Sequence, residues 1–298
     1  MLSSHTFDSY DKVKKASVKN CDIRLWNLCK KKWIKTLLKK EEKISSVLAF
    51  ENYEKLKIIT GAEDGIIKIW DETNNIVVKT LKYHKSKITE IIDIHLFKEG
   101  YIASCELLNG VVVIWDINQP ESNILVTKME GNPKGVNSLL YLSDYDANLI
   151  ACAGFDKKIY IFDLRINISV KEINAHDNEI NCLKMVKNNN DYFIISGSSD
   201  TKCKIWKIND GFKLIATLEG HTKRVNSICV INKITSSNCL IATGGEDAML
   251  IIWDLNKFVS IKEIRCNGEI NKIIHADFIS RNFVIYAEKV GIVINRLF

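Results

Sequence analysis

The stretch "ATGGEDAMLIIWDLNK", residues 242–257, decides how the rest of the 298-residue chain is read. Apolar and small residues run into two glycines and an acidic pair, restart as strand-like sequence, and stop at Trp253-Asp254. In one reading Glu246 and Asp247 sit on an active-site loop; in the other the stretch is one copy of a structural unit. A structural unit recurs along a chain and a single active site does not, so the neighbouring sequence separates the two.

Recurrence is plain. The segment around Trp253 has counterparts at Trp26 ("LWNL"), Trp70 ("IWDE"), Trp115 ("IWDI"), Phe162 ("IFDL") and Trp206 ("IWKI"), with a last echo in "GIVINRLF", where Arg296 takes the aromatic position. Successive intervals of 44, 45, 47, 44, 47 and 43 residues match the period of a four-stranded blade. Six residues before each aromatic stands a turn acid or amide: Asn20, Asp64, Asn109, Asp156, Asp200 and Asp247. Ten before it stands a small residue: Ala16, Thr60, Cys105, Cys152, Ser196 and Thr243. Alternating runs such as "ISSVLAF", "VNSLLYL" and "VNSICVI" open each period, and period-two alternation marks half-buried strands. A further run follows each aromatic, which completes four short strands per repeat.

These residues resemble the WD-repeat family over essentially the whole chain, and the resemblance implies an all-β, seven-bladed propeller occupying residues 1–298 as a single domain. The family's Gly-His pair appears as Gly220-His221, with weaker forms at Tyr83-His84 and Ala175-His176. The resemblance implies two complete hydrogen-bonded tetrads: His176, Ser196, Asp200 and Trp206, then His221, Thr243, Asp247 and Trp253. Physically, a carboxylate drawn under a tight turn must be met by donors. Asn132 replaces the His before the fourth aromatic, and Val290 replaces the acid of the last repeat, which is assigned by strand rhythm.

The set His221, Thr243 and Asp247 imitates a hydrolase triad, yet it recurs at a fixed offset one repeat earlier, which an active site with nucleophile, oxyanion site and pocket does not do. "GGED" lacks the spacing and the Lys of a phosphate loop. The His and Cys residues show no metal-ligand spacing. The sequence therefore predicts no enzyme activity, no metal, no cofactor and no small-molecule substrate.

Composition agrees with a large folded core: 46% of residues are hydrophobic and 26% charged, as in average soluble domains. No apolar run reaches the length of a membrane span, and "MLSSHTFDSYDKVKKAS" lacks the apolar core of a signal peptide. Nine cysteines, several inside apolar runs (Cys105, Cys152, Cys182, Cys229), read as reduced thiols of a cytoplasmic or nuclear protein with no membrane contact. Net charge is +6, but residues 12–43 alone carry +9, leaving −3 elsewhere.

The resemblance implies a protein-interaction scaffold, a subunit of a larger intracellular assembly. Its candidate docking face is the set of loops bearing Lys40, Lys43, Lys85, Lys87, Lys134, Lys157, Lys158, Lys223 and Arg224, interrupted by Glu41, Glu42, Asp177 and Glu179. Such a face suits an acidic protein segment and, more weakly, RNA. A second candidate is "IFDLR", where Asp163 and Arg165 resemble the motif by which substrate receptors hold a cullin-RING ubiquitin-ligase adaptor. The alternatives to a general scaffold are thus a ligase receptor and a component of an RNA-processing or ribosome-assembly complex. The rhythm supplies 27 strands for seven blades, so the last blade is expected to be three-stranded or to gain its outer strand from elsewhere, an open edge suited to strand addition. The runs at 187–191 and 233–238 read as solvent loops between first and second strands.

Overall fold

The computed structural model describes the backbone of residues 14–19, 22–27, 32–36, 43–52, 55–71, 74, 76–120, 125–130, 134–231, 239–278, 281–288 and 292–296. Side chains are described within 43–49, 58–71, 74, 76–120, 125, 127, 129, 134–231 and 239–273. No helix occurs among the described residues, which form seven sheets. Two compact units result, Met1–Ile150 with Phe162–Val170, and Ala151–Ile161 with Lys171–Phe298.

In the first unit, β1 (Lys14–Lys19), β2 (Asp22–Asn27) and β3 (Lys32–Thr36) make the first sheet. The second comprises β4 (Ile44–Asn52), β5 (Lys55–Ala62), β6 (Ile66–Asp71) and β7 (Ile76–Lys82); the third β8 (Ile88–Asp93), β9 (Tyr101–Glu106), β10 (Val111–Asp116) and β11 (Leu125–Glu130). The fourth, β12 (Val136–Tyr141), β13 (Leu149–Gly154), β14 (Lys158–Asp163) and β15 (Ile168–Asn174), gives strand segments to both units. In the second unit follow the fifth, β16 (Ile180–Asn188), β17 (Asp191–Ser198), β18 (Cys203–Lys207) and β19 (Lys213–Leu218), and the sixth, β20 (Val225–Ile231), β21 (Leu240–Gly245), β22 (Met249–Asp254) and β23 (Val259–Arg265). The seventh is β24 (Ile270–Phe278), β25 (Arg281–Glu288) and β26 (Ile292–Arg296). Strands neighbouring in sequence pair as antiparallel meanders, here in the second, fifth and sixth sheets.

Burial explains why the middle strands read as almost continuous apolar runs. In the sixth sheet Ile241, Ile251 and Trp253 pack with Ile195, Ile205 and Leu218 of the fifth, while Ala242, Leu250 and Ile252 pack with Ile270 and Ile273 of the seventh. A strand covered on both faces has no polar side to alternate with. The outermost β23 is exposed at nearly every position, which is why its sequence alternates only weakly.

One irregularity recurs and does the joining. The first-to-second strand pairing skips one residue just after its start, at Ser45, Thr89, Asn181 and Asn226. A bulged residue is left out of the ladder and free to point elsewhere. Here each reaches the next sheet: Ser45 Oγ donates to Ile88 O (2.5 Å), Thr89 Oγ1 to Val136 O (2.6 Å), Asn181 Nδ2 to Val225 O (3.0 Å) and Asn226 Nδ2 to Ile270 O (3.0 Å). Close approach also demands glycine, since a Cβ on Gly244 would meet Ile270 Cγ2 at 2.5 Å.

Several expectations change. Residues 187–191 are not a loop: β16 and β17 continue until Asn188 opposes Asp191, with Asn189 turning at φ 55°. The stretch 233–238, the turn residues Asn20, Asn132 and Val290, and the amino-terminal residues that bear on the outer strand of the last repeat lie outside the described residues.

Candidate functional site: braced hairpins and cationic loops

Each second-to-third strand hairpin carries the residues that sequence reading singles out, so the site is built there first. In the sixth sheet Trp253 Nε1 donates to Thr243 Oγ1 (2.8 Å), and His221 Nε2 lies 2.8 Å from the same oxygen. His221 Nδ1 stands 2.9 Å from Asp247 Oδ2, which also accepts the Thr222 N–H, while Oδ1 accepts the Met249 N–H. With Nδ1–H given to the carboxylate, Nε2 accepts from the hydroxyl, and a single relay runs from indole to acid. The fifth sheet repeats it through Trp206, Ser196, His176 and Asp200 at 2.9, 2.7 and 2.8 Å. Burial opposes ionisation of Asp200, but His176 and the N–H groups of Asp177 and Lys202 outweigh it and hold the carboxyl well below its ordinary pKa. Thr243 and Ser196 are fully buried and already bonded to both neighbours, so neither hydroxyl is placed to attack a substrate.

Other repeats keep parts of the relay. Trp70 Nε1 donates to Thr60 Oγ1 (2.9 Å) in the second sheet. In the fourth, Phe162 has no N–H to offer, and Asp156 instead accepts the Lys158 N–H and the Tyr160 hydroxyl (2.7 Å). In the second, fourth, fifth and sixth sheets a left-handed residue follows the turn acid: Gly65, Lys157, Thr201 and Ala248.

The third sheet corrects the sequence reading. Its small residue is Ser104, not Cys105: Trp115 Nε1 donates to Ser104 Oγ, and His84 Nε2 lies 2.7 Å from it. Its acid is Glu106, not Asn109, and Glu106 Oε2 accepts the N–H groups of Lys85 and Ser86 and the Ser86 hydroxyl, each at 2.9 Å. The cause is one extra hairpin residue, since Trp115 pairs with Ile102 whereas Trp253 pairs with Ile241, so a fixed offset from the aromatic slips by one. Asn109 and Gly110 form the turn itself, at φ 66° and 60°, as Asn-Gly pairs do. His84 Nδ1 is buried without a hydrogen bond, 3.8 Å from Glu106 Oε1. Sequence reasoning also missed the Ser45, Thr89, Asn181 and Asn226 ties; the hydroxyl or amide at the second position of each inner strand was the available signal.

Most of the described cationic residues sit in loops leading into inner strands, whereas Lys157 lies in the turn before β14 and Lys158 opens that strand; three of the set form ion pairs. Lys43 pairs with Glu63 (3.5 Å), Lys158 with Glu172, and Arg224 with Glu246 (3.0 Å) and Glu179 (4.0 Å). Lys85, Lys134, Lys157 and Lys223 are exposed and Lys87 half-buried; Lys40 lies outside the described residues. Arg165, 59% exposed, closes on its own neighbour: Nε and Nη2 both donate to the Asp163 carboxylate, and Oδ1 also accepts the Arg165 N–H. Asp254 and Asp116 accept the N–H two residues on in the same way, so this bond belongs to the turn rather than to the Arg. The seven described cysteines are free thiols; burial drives those of Cys105 and Cys203 up strongly and Cys239 to about 11. Among the described residues no His, Cys, Asp or Glu cluster could hold a metal ion, and no helix is long and apolar enough to cross a membrane.

A family model for the WD domain, G-beta repeat, matches residues 32–71, 123–163, 167–207 and 212–254, more than half of the chain. This chain belongs to the WD-repeat family. The matched segments cover the first to sixth sheets in part, including both complete relays, and the WD-repeat assignment accounts for the seven three- or four-stranded sheets as propeller blades. Among curated WD-repeat relatives, the Denticleless protein homolog of Homo sapiens is 26% identical over 252 residues, 70% of this chain and 34% of that protein. Histone acetyltransferase type B subunit 2 of Candida glabrata is 25% identical over 69% of this chain and 51% of its own length. A p21-activated protein kinase-interacting protein 1-like protein of Danio rerio is 25% identical over 84% and 62%. The chain thus spans about a third to three fifths of these relatives.

Proposed function

We propose that this chain is a non-enzymatic protein-interaction scaffold, a cytoplasmic or nuclear subunit of a larger assembly, with its seven sheets forming one propeller domain. The carrying observation is how the polar side chains are used. In the repeated hairpins the reactive groups are spent on buried relays, while the non-repeated Lys85, Lys134, Lys157 and Lys223 stand exposed on loops. Two relatives have names that speak of assembly, one as an acetyltransferase subunit and one as a kinase-interacting protein. An acidic protein segment is the matching partner class, with RNA the weaker one.

Affinity capture of the full chain from cells, washed at stepped ionic strength, tests the reading. Partners that stay on at low salt and leave at moderate salt support it; a chain that captures nothing above background at either salt overturns it. The ligase-receptor alternative rests on Arg165 being half exposed beside Asp163. Purified adaptor binding at micromolar concentration, lost on Arg165→Ala, would favour that alternative instead.

A further inference from the structure

The hairpin tips next to the cationic loops are not equivalent. In the second sheet the acids of the tip are engaged, Glu63 with Lys43 and Asp64 with the Ile66 N–H. In the sixth, Glu246 neutralises Arg224, and in the fifth Ser199 donates to Glu179 while Lys202 pairs with Glu219. The longer third hairpin breaks this rule. Its acid, Glu106, is drawn inside and only 3% exposed, bound by the backbone of Lys85 and Ser86. The tip between β9 and β10 is therefore Leu107-Leu108-Asn109-Gly110, with no carboxylate.

The backbone brings this apolar tip against a cationic loop. Leu107 N donates to Lys87 O (2.8 Å) and Leu108 N to Ser86 Oγ (3.0 Å). Leu108 is 55% exposed and Tyr83, at the start of the same loop, 37%. Among the described residues, neither Lys85 nor Lys87 forms an ion pair.

We infer that Tyr83, Lys85, Lys87 and Leu108 form a docking point for an acidic protein segment that carries one large apolar side chain. The inference rests on the scaffold reading and names one of its partners' features. Two cations whose side chains form no ion pair among the described residues attract carboxylates, and displaced water from Leu108 and Tyr83 favours an apolar anchor. Two lysines are too few to track a phosphate backbone, which needs a longer cationic groove.

Fluorescence anisotropy on the full chain tests this with a labelled Asp/Glu-rich peptide bearing a single Leu. Wild type should bind it in a salt-sensitive manner. The pair Lys85→Glu with Lys87→Glu should weaken binding about tenfold or more, and Leu108→Ser about fivefold, as should Leu→Ser in the peptide. Lys223→Glu, in a different sheet, should change it less than about twofold. Unchanged unfolding midpoints show that these exposed substitutions leave the fold intact.

Equal binding by wild type and both third-sheet variants removes this site while leaving the scaffold reading standing. No binding by wild type at low salt removes the site and the acidic-partner reading together. Tighter binding of a single-stranded oligouridine than of the peptide overturns the assignment to protein.

Discussion

The sixth and third sheets contain the same tryptophan, hydroxyl and histidine, yet they end their relays differently. In the sixth, ten residues separate Thr243 from Trp253, and Asp247 completes the chain at 2.9 Å from His221. In the third, eleven separate Ser104 from Trp115, and Glu106 stops 3.8 Å short of His84 Nδ1. The carboxylate turns to the backbone of the incoming loop instead. One inserted residue thus converts a side-chain relay into a loop anchor, and a hairpin that holds its acid inside presents a different surface.

The largest break in the comparison comes from removing each acid. Asp247→Ala leaves the buried His221 Nδ1–H and the Thr222 and Met249 N–H groups without their acceptor, and should cost about 3 kcal/mol or more of stability. Glu106→Ala strands two part-buried N–H groups and one hydroxyl but no ring N–H, and should cost about 1–3 kcal/mol. Denaturant titrations of the two variants check the order; equal losses would mean that the shorter contact at His221 contributes nothing beyond loop anchoring.

A sharper test sits one residue away. Ser104→Ala leaves Trp115 Nε1 and His84 Nε2 without their shared partner and should cost about 1–3 kcal/mol, measured by the same titration. Cys105→Ala removes a thiol whose neighbour Thr89 still donates to Val136 O, and should cost less. A reversal of that order would restore the constant offset that sequence spacing suggests.

How much of this was legible in sequence follows from where the constraint lies. Period, strand alternation and the relays at His176 and His221 were legible because fully buried strands and saturated carboxylates tolerate few residue types. Ser104 and Glu106 were hidden because hairpin length, not residue type, fixes which side chain lies under the indole, and spacing alone cannot count an insertion inside a turn. The pairing of Lys43, Lys158 and Arg224 was hidden for another reason, since their acids Glu63, Glu172 and Glu246 are brought near by strand pairing rather than by sequence proximity.

The comparison extends to pH, with the fifth sheet standing for the complete relay. Burial lowers the His84 pKa below 6.5, against the weaker opposing pull of Glu106. A histidine held neutral in the fold contributes stability that is complete above its unfolded pKa and declines as pH falls below 6.5. Asp200 behaves oppositely in origin: its depressed pKa contributes stability present above about 3.8 and lost as pH falls further. Hydrogen exchange, corrected for intrinsic rates, should therefore show residues 101–116 losing protection as pH falls below 6.5, and residues 191–207 only below about pH 4. Simultaneous loss would mean that the unbonded Nδ1 of His84 has no energetic consequence.

The smallest effect concerns the turns themselves. Thr201 is a β-branched residue at φ 71°, in the position where the second sheet has Gly65 at φ 81°. A branched Cβ crowds its own backbone in that region, a strain on the order of 1 kcal/mol, while glycine adds unfolded-state freedom worth about 0.5–1 kcal/mol in the opposite sense. Thr201→Gly should accordingly shift the unfolding free energy by less than about 1 kcal/mol, in the stabilising direction. Gly65→Ala should do the reverse and more strongly, because its Cβ would stand 2.6 Å from His84 O. Together the two substitutions ask whether the backbone of the hairpin or the relay beneath it sets the turn; a destabilising Thr201→Gly would assign that role to the threonine side chain.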